Sequence, residues 1–172
     1  MLIYFVPCVL LVILMTIRKA KPSDAKQVHK IYFDPVVHKF MHYNKMGLRE
    51  FRKKWKMIMA KCETYIFETK GRAVAFGWLD KFDGMRSHVI EISHIAVSPS
   101  EQGKGIGKKL FSFLLKKAKS KNAKRVQLIA EVDNKKAIAF YKKFGFVKEG
   151  RLRKSFKRTN GYVDQIVMSK LL

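Results

Sequence analysis

The sequence predicts an α+β (α/β) domain in which about four helices cover both faces of a mixed, mostly antiparallel sheet of six or seven strands. Segments with strand spacing and segments with helix spacing alternate along the chain, and two pairs of neighbouring strands are joined by tight-turn residues. The chain has 172 residues, of which 48% are hydrophobic. It is therefore long enough for one domain with a buried core and too apolar for an intrinsically disordered protein.

The N-terminal half is predicted to contain a strand, two helices and a hairpin. Thr16–Lys19 has strand spacing, and Pro22-Ser23-Asp24 then marks a helix start at which a side-chain oxygen caps free amides. Leu48–Lys61 has the apolar stripe of a second helix. Glu63–Thr69 and Ala73–Asp80 are rich in strand-forming residues and flank a Lys-Gly turn, which predicts a hairpin.

The C-terminal half is predicted to run strand, helix, strand, helix and then two strands. These elements are His88–Val97, Gly105–Lys119, Val126–Val132, Asn134–Phe144, Phe146–Phe156 and Tyr162–Leu171. Pro99 ends the first of these strands, Gly145 stops the second helix, and Asn160-Gly161 is typical of the tight turn between antiparallel strands.

The first residues form an apolar segment that is distinct from this domain. Met1–Ile17 carries no charge and is followed at once by Arg18 and Lys19, so its length lies at the lower limit for a membrane span. Residues 1–15 therefore either anchor residues 16–172 to the cytoplasmic side of a membrane, precede the authentic translation start, or pack on the core. The segment has no basic leader and no small-residue cleavage site, which disfavours a cleavable signal peptide.

The charge balance limits the classes of partner. Lys and Arg number 37 against 13 Asp and Glu, a formal net charge of +24. Such a surface favours polyanions, including nucleic acid, ribosomes, anionic lipid and phosphate-bearing cofactors, and it disfavours cationic substrates such as polyamines. Cys8 and Cys62 form neither a disulfide framework nor a metal set, and the five histidines lack metal-ligand spacing. We expect a cytoplasmic protein without a metal ion.

Gln102-Gly103-Lys104-Gly105-Ile106-Gly107 lies between a predicted strand and a predicted helix. Its glycines allow close backbone approach and unusual dihedral angles, and the free amides of the loop and of the helix start would converge on one anion. The spacing fits neither a Walker A loop nor the Rossmann fingerprint. The segment therefore predicts a pyrophosphate cradle, with a glycine-rich turn that binds nothing as the alternative.

A second pattern follows the next strand. Asn134 begins a helix, and Tyr141 lies two turns further along the same helix face. The two side chains can therefore line one groove. In the simpler interpretation, Asn134 only caps the helix and Tyr141 only packs in the core.

Together these motifs resemble the GNAT superfamily of acetyl-CoA-dependent N-acetyltransferases, over about residues 16–171. Gln102, Gly105 and Gly107 match the family's Arg/Gln-x-x-Gly-x-Gly/Ala loop, and Ile95-Ala96-Val97-Ser98-Pro99 matches its strand end. The family's helix signature is matched by Asn134, Ala137, Tyr141 and Gly145-Phe146.

The resemblance implies acetyl-CoA as co-substrate. Two neighbouring parallel strands would splay apart, pantetheine would lie in the gap, and the pyrophosphate would rest on the loop amides. A backbone amide at Ala96 or Val97 would stabilise the oxyanion. The implied cofactor-binding residues are Ile95, Ala96, Val97, Gln102, Gly103, Lys104, Gly105, Ile106, Gly107, Lys108, Asn134 and Ala137.

The resemblance also implies direct attack of a neutral amine on the thioester, with Tyr141 as general acid. Glu91 is the expected base, and Glu131, at a strand end, is the weaker candidate. His94 has the opposite strand parity to Glu91 and is expected to be packed rather than catalytic. His88 is a minor candidate for the acceptor site.

The acceptor implied by the resemblance is an amino acid, an amino-acid-like compound or a protein N-terminus. It rests on two segments, 85–89 and 150–164, which are less specific than the cofactor motifs. Two other interpretations stay open: a basic module associated with RNA or the ribosome, and a membrane-tethered protein that binds CoA without catalysis.

Overall fold

The structure is a computed structural model that describes residues 15–172. The expectations for residues 1–14, as membrane anchor, upstream extension or core-packing segment, lie outside these residues, as does Cys8. Between residues 15 and 172, no helix has both the length and the apolar character that crossing a membrane requires.

The described residues form one seven-stranded sheet. Its strands are β1 (Met15–Lys19), β2 (Glu63–Thr69), β3 (Arg72–Lys81), β4 (Val89–Val97), β5 (Arg125–Glu131), β6 (Val147–Arg158) and β7 (Gly161–Leu171). They lie in the order β1-β2-β3-β4-β5-β7-β6, and β4 and β5 are parallel while the other neighbours are antiparallel. The predicted mixed sheet is confirmed, and β1 and β6 form its edges.

Helices cover both faces of the sheet, as predicted. They are α1 (Ala25–Tyr32), α2 (Pro35–His38), α3 (Leu48–Lys61), α4 (Ile106–Ser120) and α5 (Lys135–Lys143). The single turn α2 was not expected from the sequence. It begins with Pro35, which suits a first helical turn, and the Asp34 carboxylate accepts a hydrogen bond from the Val36 amide at 3.0 Å.

Two apolar cores result, one on each side of the sheet. Leu110, Phe111 and Leu114 of α4 are fully buried on one face, where α5 also packs. A Cβ on Gly77 of β3 would lie 2.7 Å from Leu114 Cδ1, so this glycine lets α4 approach the sheet closely. On the other face, α1 and α3 contribute an aromatic core that includes Tyr32.

Asp24 caps the 3₁₀ turn Pro22–Asp24 that precedes α1, rather than α1 itself. It occupies the cap position of α1 without a side-chain bond to that helix. Its carboxylate instead accepts two bonds of 2.8 Å from Arg18 and one of 2.7 Å from the Lys21 amide. Burial raises the pKa of Asp24, but the bonds from Arg18 and Lys21 outweigh it and the net shift is downward. This buried ion pair fixes the start of α1 to β1.

A bulge in β4 overturns the expected parity of His94. Trp78 pairs with His94 and Leu79 pairs with Ile92, so Ser93 is an extra residue in β4. Ile92 therefore faces the α4 core, whereas His94 packs against Tyr32 on the opposite face. The extra residue places His94 on the same side of the sheet as Glu91.

The parallel pair β4–β5 separates before the strands end. The register pairs Val89 with Arg125 and ends with Glu91 opposite Gln127, although the strands continue to Val97 and Glu131. The edge of β4 that faces β5 is consequently left without a strand partner in the described structure. This is the splayed pair that the resemblance implied.

Candidate functional site

A cavity of about 560 Å³ occupies the gap between the separated ends of β4 and β5. It contains most of the predicted site residues: Ile95, Ala96, Val97, Gln102, Gly103, Gly105, Gly107, Lys108, Asn134, Ala137 and Tyr141. The side chains of Glu91, Lys104 and Ile106 do not line it, and neither does His88. Two motifs separated by about thirty residues in sequence therefore meet in one cavity.

The glycine-rich loop has the properties of an anion cradle. Gly103 and Gly105 adopt φ values of +80° and +76°, and a Cβ on either would meet no atom within 4 Å. Within residues 15–172, the amides of residues 103–105 donate no hydrogen bond, and the first amides of α4 have no acceptor within the helix. These free amides and the helix dipole fit a pyrophosphate.

Gln102 and Lys104 are held by other protein groups. Gln102 Nε2 donates to the Val97 carbonyl at 3.1 Å, and its Oε1 accepts from Lys136 Nζ at 3.4 Å. Lys104 Nζ forms an ion pair with Glu101 at 3.0 Å. The Ile106 side chain is buried in the α4 core, so this residue can bind an anion through its backbone amide. Gln102 therefore braces the loop against the end of β4.

Helix α5 brings Asn134 and Tyr141 to the same cavity. Asn134 Oδ1 accepts from the Ala137 amide at 3.2 Å, and this cap leaves the Nδ2 group available to a ligand. Tyr141 is partly buried. Burial raises its pKa above the ordinary value, and the negative charge of Glu131 raises it further. The phenol therefore keeps its proton at neutral pH.

Glu131 is a buried carboxylate in this cavity. It ends β5, is 3% exposed, and accepts a hydrogen bond from Gln165 Nε2 at 3.1 Å. His42 Nε2 lies 3.7 Å from Glu131 Oε1, and the His42 side chain is exposed. An exposed imidazole therefore lies beside this buried carboxylate.

Glu91, the expected base, does not line the cavity. It stands at the last paired position of β4, and its Oε2 accepts from Gln127 Nε2 at 2.6 Å. The structure therefore brings Glu131, rather than Glu91, together with Tyr141 in the cavity.

His94 lines the cavity from the bulge, although it is 8% exposed. Its ring centroid lies 4.2 Å from that of Trp78 and 4.9 Å from that of His42. Burial lowers its pKa to about 3, with a smaller contribution from His42, so the imidazole is neutral at neutral pH. The prediction that His94 is packed is correct, but its ring also reaches the site.

The remaining wall combines apolar side chains with an ion pair. Val37, Phe40 and Met41, from α2 and the turn after it, line the cavity. Asp133 forms an ion pair of 2.6 Å with Arg158, whose guanidinium lies over the Phe40 ring. The sequence interpretation did not include this wall, because residues 33–47 have no long periodic pattern that predicts an element.

A model of the acetyltransferase (GNAT) family matches residues 26–146. The chain belongs to the GNAT family. This match covers both the glycine-rich loop and the Asn134–Tyr141 helix, which confirms the resemblance found in the sequence.

Two curated relatives that are named N-acetyltransferases and one solved structure illustrate the similarity. An uncharacterized N-acetyltransferase of Methanocaldococcus jannaschii is 30% identical over 138 residues, which are 76% of this chain and 60% of the relative. A putative ribosomal protein bS18-alanine N-acetyltransferase of Bacillus subtilis is 36% identical over 78 residues, 45% of this chain and 50% of the relative. The matched parts thus span half to three fifths of these relatives.

The solved structure is that of yncA, a putative acetyltransferase from Salmonella typhimurium with its cofactor acetyl-CoA. It superposes with a TM-score of 0.78 at 20% identity, covering 92% of this chain and 94% of the other. At this identity the likeness shows a shared GNAT fold.

Proposed function

We propose that this protein transfers the acetyl group of acetyl-CoA to a primary amine of an amino acid, an amino-acid-like compound or a protein N-terminus. One observation carries the proposal. The cavity between β4 and β5 combines free loop amides with a protonated Tyr141 and the buried carboxylate of Glu131. An anion-binding loop beside an acid and a base is what transfer from a CoA thioester requires.

The residues that would hold acetyl-CoA follow from this arrangement. The amides of residues 103–108 would bind the pyrophosphate, and the unpaired edge of β4 at Ile95–Val97 would bind the pantetheine arm. Asn134 Nδ2 and the small side chain of Ala137 would border the same arm. When bound, acetyl-CoA supplies an acetyl group activated as a thioester.

Two side chains would move protons. Glu131 accepts a proton from the incoming ammonium, so that the neutral amine can attack, and His42 passes that proton to solvent. Tyr141 would donate its phenol proton to the departing sulfur and regain a proton from the acetylated nitrogen, which loses its second proton as the amide forms. A β4 amide near Ala96 stabilises the negative charge on the acetyl oxygen. We favour Glu131 over Glu91 as base because Glu131 lines the cavity.

The acceptor proposal is supported by charge. A surface of net charge +24 attracts polyanions, so a protein N-terminus presented near RNA suits this chain better than a polyamine. The name of the Bacillus subtilis relative, which refers to a ribosomal protein, agrees with this setting. Cell fractionation tests whether residues 1–17 tether the protein to a membrane.

Release of the CoA thiol tests the proposal directly. Purified protein is incubated with acetyl-CoA and a panel of short peptides with varied first residues, free amino acids and polyamines. We expect thiol release and an acetylated product with peptides or amino acids, and much less with polyamines. CoA binding without product from any amine would contradict the enzymatic role, and salt-sensitive RNA binding in its place would favour the alternative of a basic binding module.

A further inference from the structure

The bulge in β4 leaves two neighbouring polar atoms without partners. Ser93 Oγ and His94 Nδ1 are both buried and make no hydrogen bond within the described residues. Both residues line the cavity between β4 and β5. Buried polar atoms are nearly always paired, so two adjacent exceptions in one cavity wall indicate a partner brought in from outside.

The hydrogen bonds around Tyr32 identify which His94 nitrogen carries the proton. The Tyr43 amide donates to Tyr32 Oη at 3.1 Å, and Tyr32 Oη lies 3.4 Å from His94 Nε2. Burial raises the pKa of Tyr32, so the phenol keeps its proton. Both groups are satisfied when Tyr32 donates to Nε2, which leaves the proton of the neutral imidazole on Nδ1. The unpaired group of His94 is therefore a donor.

We propose that Ser93 and His94 bind an oxygen atom next to the reacting amine, and so select acceptors that carry a carbonyl or carboxylate beside the amino group. This inference rests on the proposed function and adds the residues that determine acceptor specificity. Amino acids and peptide N-termini carry such an oxygen, whereas alkylamines and polyamines do not.

The surroundings of His94 favour this role over that of a base. The ring is held between Trp78, Tyr43 and His42, with centroid distances of 4.2, 6.1 and 4.9 Å. A ring confined in this way loses little freedom on binding, and it stays neutral in its buried position. A site built to donate to an oxygen rejects analogues without one, because its donors would then stay buried and unpaired.

The test compares two amines in several enzymes. Alaninamide carries the oxygen, and isopropylamine lacks it; because each enzyme meets the same two amines, their different basicity cancels in the comparison. Wild type is measured against His94→Phe, which keeps a ring without the donor, and Ser93→Ala. His88→Phe is the matched control, since His88 is exposed and does not line the cavity.

We expect His94→Phe to lower kcat/KM for alaninamide about 10- to 100-fold and to change kcat/KM for isopropylamine much less. Ser93→Ala should act in the same direction, and His88→Phe should behave as wild type. The affinity for CoA, measured by calorimetry, should be unchanged. Equal losses for both amines, or a loss of CoA affinity, would overturn the inference. If His94→Phe does not fold, Ser93→Ala, which removes one oxygen atom, decides the question.

Calorimetry of alaninamide binding to the CoA complex separates this inference from the proposed function. Weaker binding to His94→Phe than to wild type supports the specificity role even if no amine is acetylated. Equal binding to both overturns that role even if turnover is observed.

Discussion

Glu91 and Gln127 mark the point at which β4 and β5 part. Their side chains are joined by a 2.6 Å hydrogen bond, and the strands lose their pairing directly beyond them. Glu91 thus belongs to the closed end of the cleft, and Glu131, four residues after Gln127, belongs to the open end. The two carboxylates that the sequence offered as bases are therefore distinguished by position.

Substitutions of Glu131 and Glu91 test which of the two carboxylates acts as the base. Glu131→Gln should lower kcat by about 100-fold, since it removes the proposed proton acceptor from the cavity. The isosteric control Glu91→Gln should leave kcat nearly unchanged, because its amide can still meet Gln127 after a side-chain flip. Steady-state kinetics with a peptide acceptor gives both values. A larger loss of kcat in Glu91→Gln than in Glu131→Gln would indicate that Glu91 is the base.

Tyr141→Phe should lower kcat by about 100-fold while the dissociation constant for CoA stays the same. The phenol proton is lost, but the ring that packs on the α4 core is kept. Phe140→Leu, at a neighbouring cavity residue, is a control for packing alone. If Tyr141→Phe weakened CoA binding as much as turnover, the residue would be a binding contact rather than an acid.

Gly105→Ala should weaken CoA binding about 5- to 30-fold, because the left-handed backbone at φ +76° is unfavourable for alanine by about 1–2 kcal/mol. The loop would relax and turn its amides away from the anion. The control Gly47→Ala has an ordinary φ of −71° and no atom within 4 Å of the new Cβ. Calorimetric titration with CoA compares the two variants; equal affinities would show that the loop conformation does not matter for binding.

The buried His94 predicts a loss of stability in acid. Its pKa is about 3 in the folded protein and 6.5 in the unfolded chain. Between these pH values the unfolded state therefore binds a proton at His94 that the folded state does not bind. The free energy of unfolding should therefore fall as the pH drops below 6.5, and this contribution is absent above that pH. Urea unfolding of wild type and His94→Phe at several pH values measures the difference. Parallel pH profiles for the two proteins would contradict the assignment.

Much of this fold was predictable because its elements are long and periodic. The apolar stripe of Leu48–Lys61 predicted helix α3 with its observed bounds, and the glycine-rich loop and Asn134–Tyr141 predicted the side of the cavity to which we assign the cofactor. Helix α3 and the two cavity motifs are each formed by residues that are close in sequence. Local spacing is sufficient for such features.

The side of the cavity to which we assign the acceptor could not be predicted in the same way. The extra residue Ser93 reverses the alternation of β4, and nothing in Val-Ile-Glu-Ile-Ser-His marks where a bulge will occur. His42 reaches Glu131 only because α2 and its turn fold across the cleft. Such contacts arise from tertiary packing between segments far apart in sequence.

The outer strand β6 has a further consequence for the behaviour of the protein in concentrated solution. It is a long, exposed edge strand of the sheet. The unpaired backbone groups of such a strand can form hydrogen bonds with a strand of another chain. Here Arg153, Lys154 and Lys157 are exposed along it, Lys154 adopts φ +50°, and the pairing with β7 is interrupted between Leu152 and Phe156. Like charge and a broken ladder therefore disfavour the addition of a second chain's strand at β6.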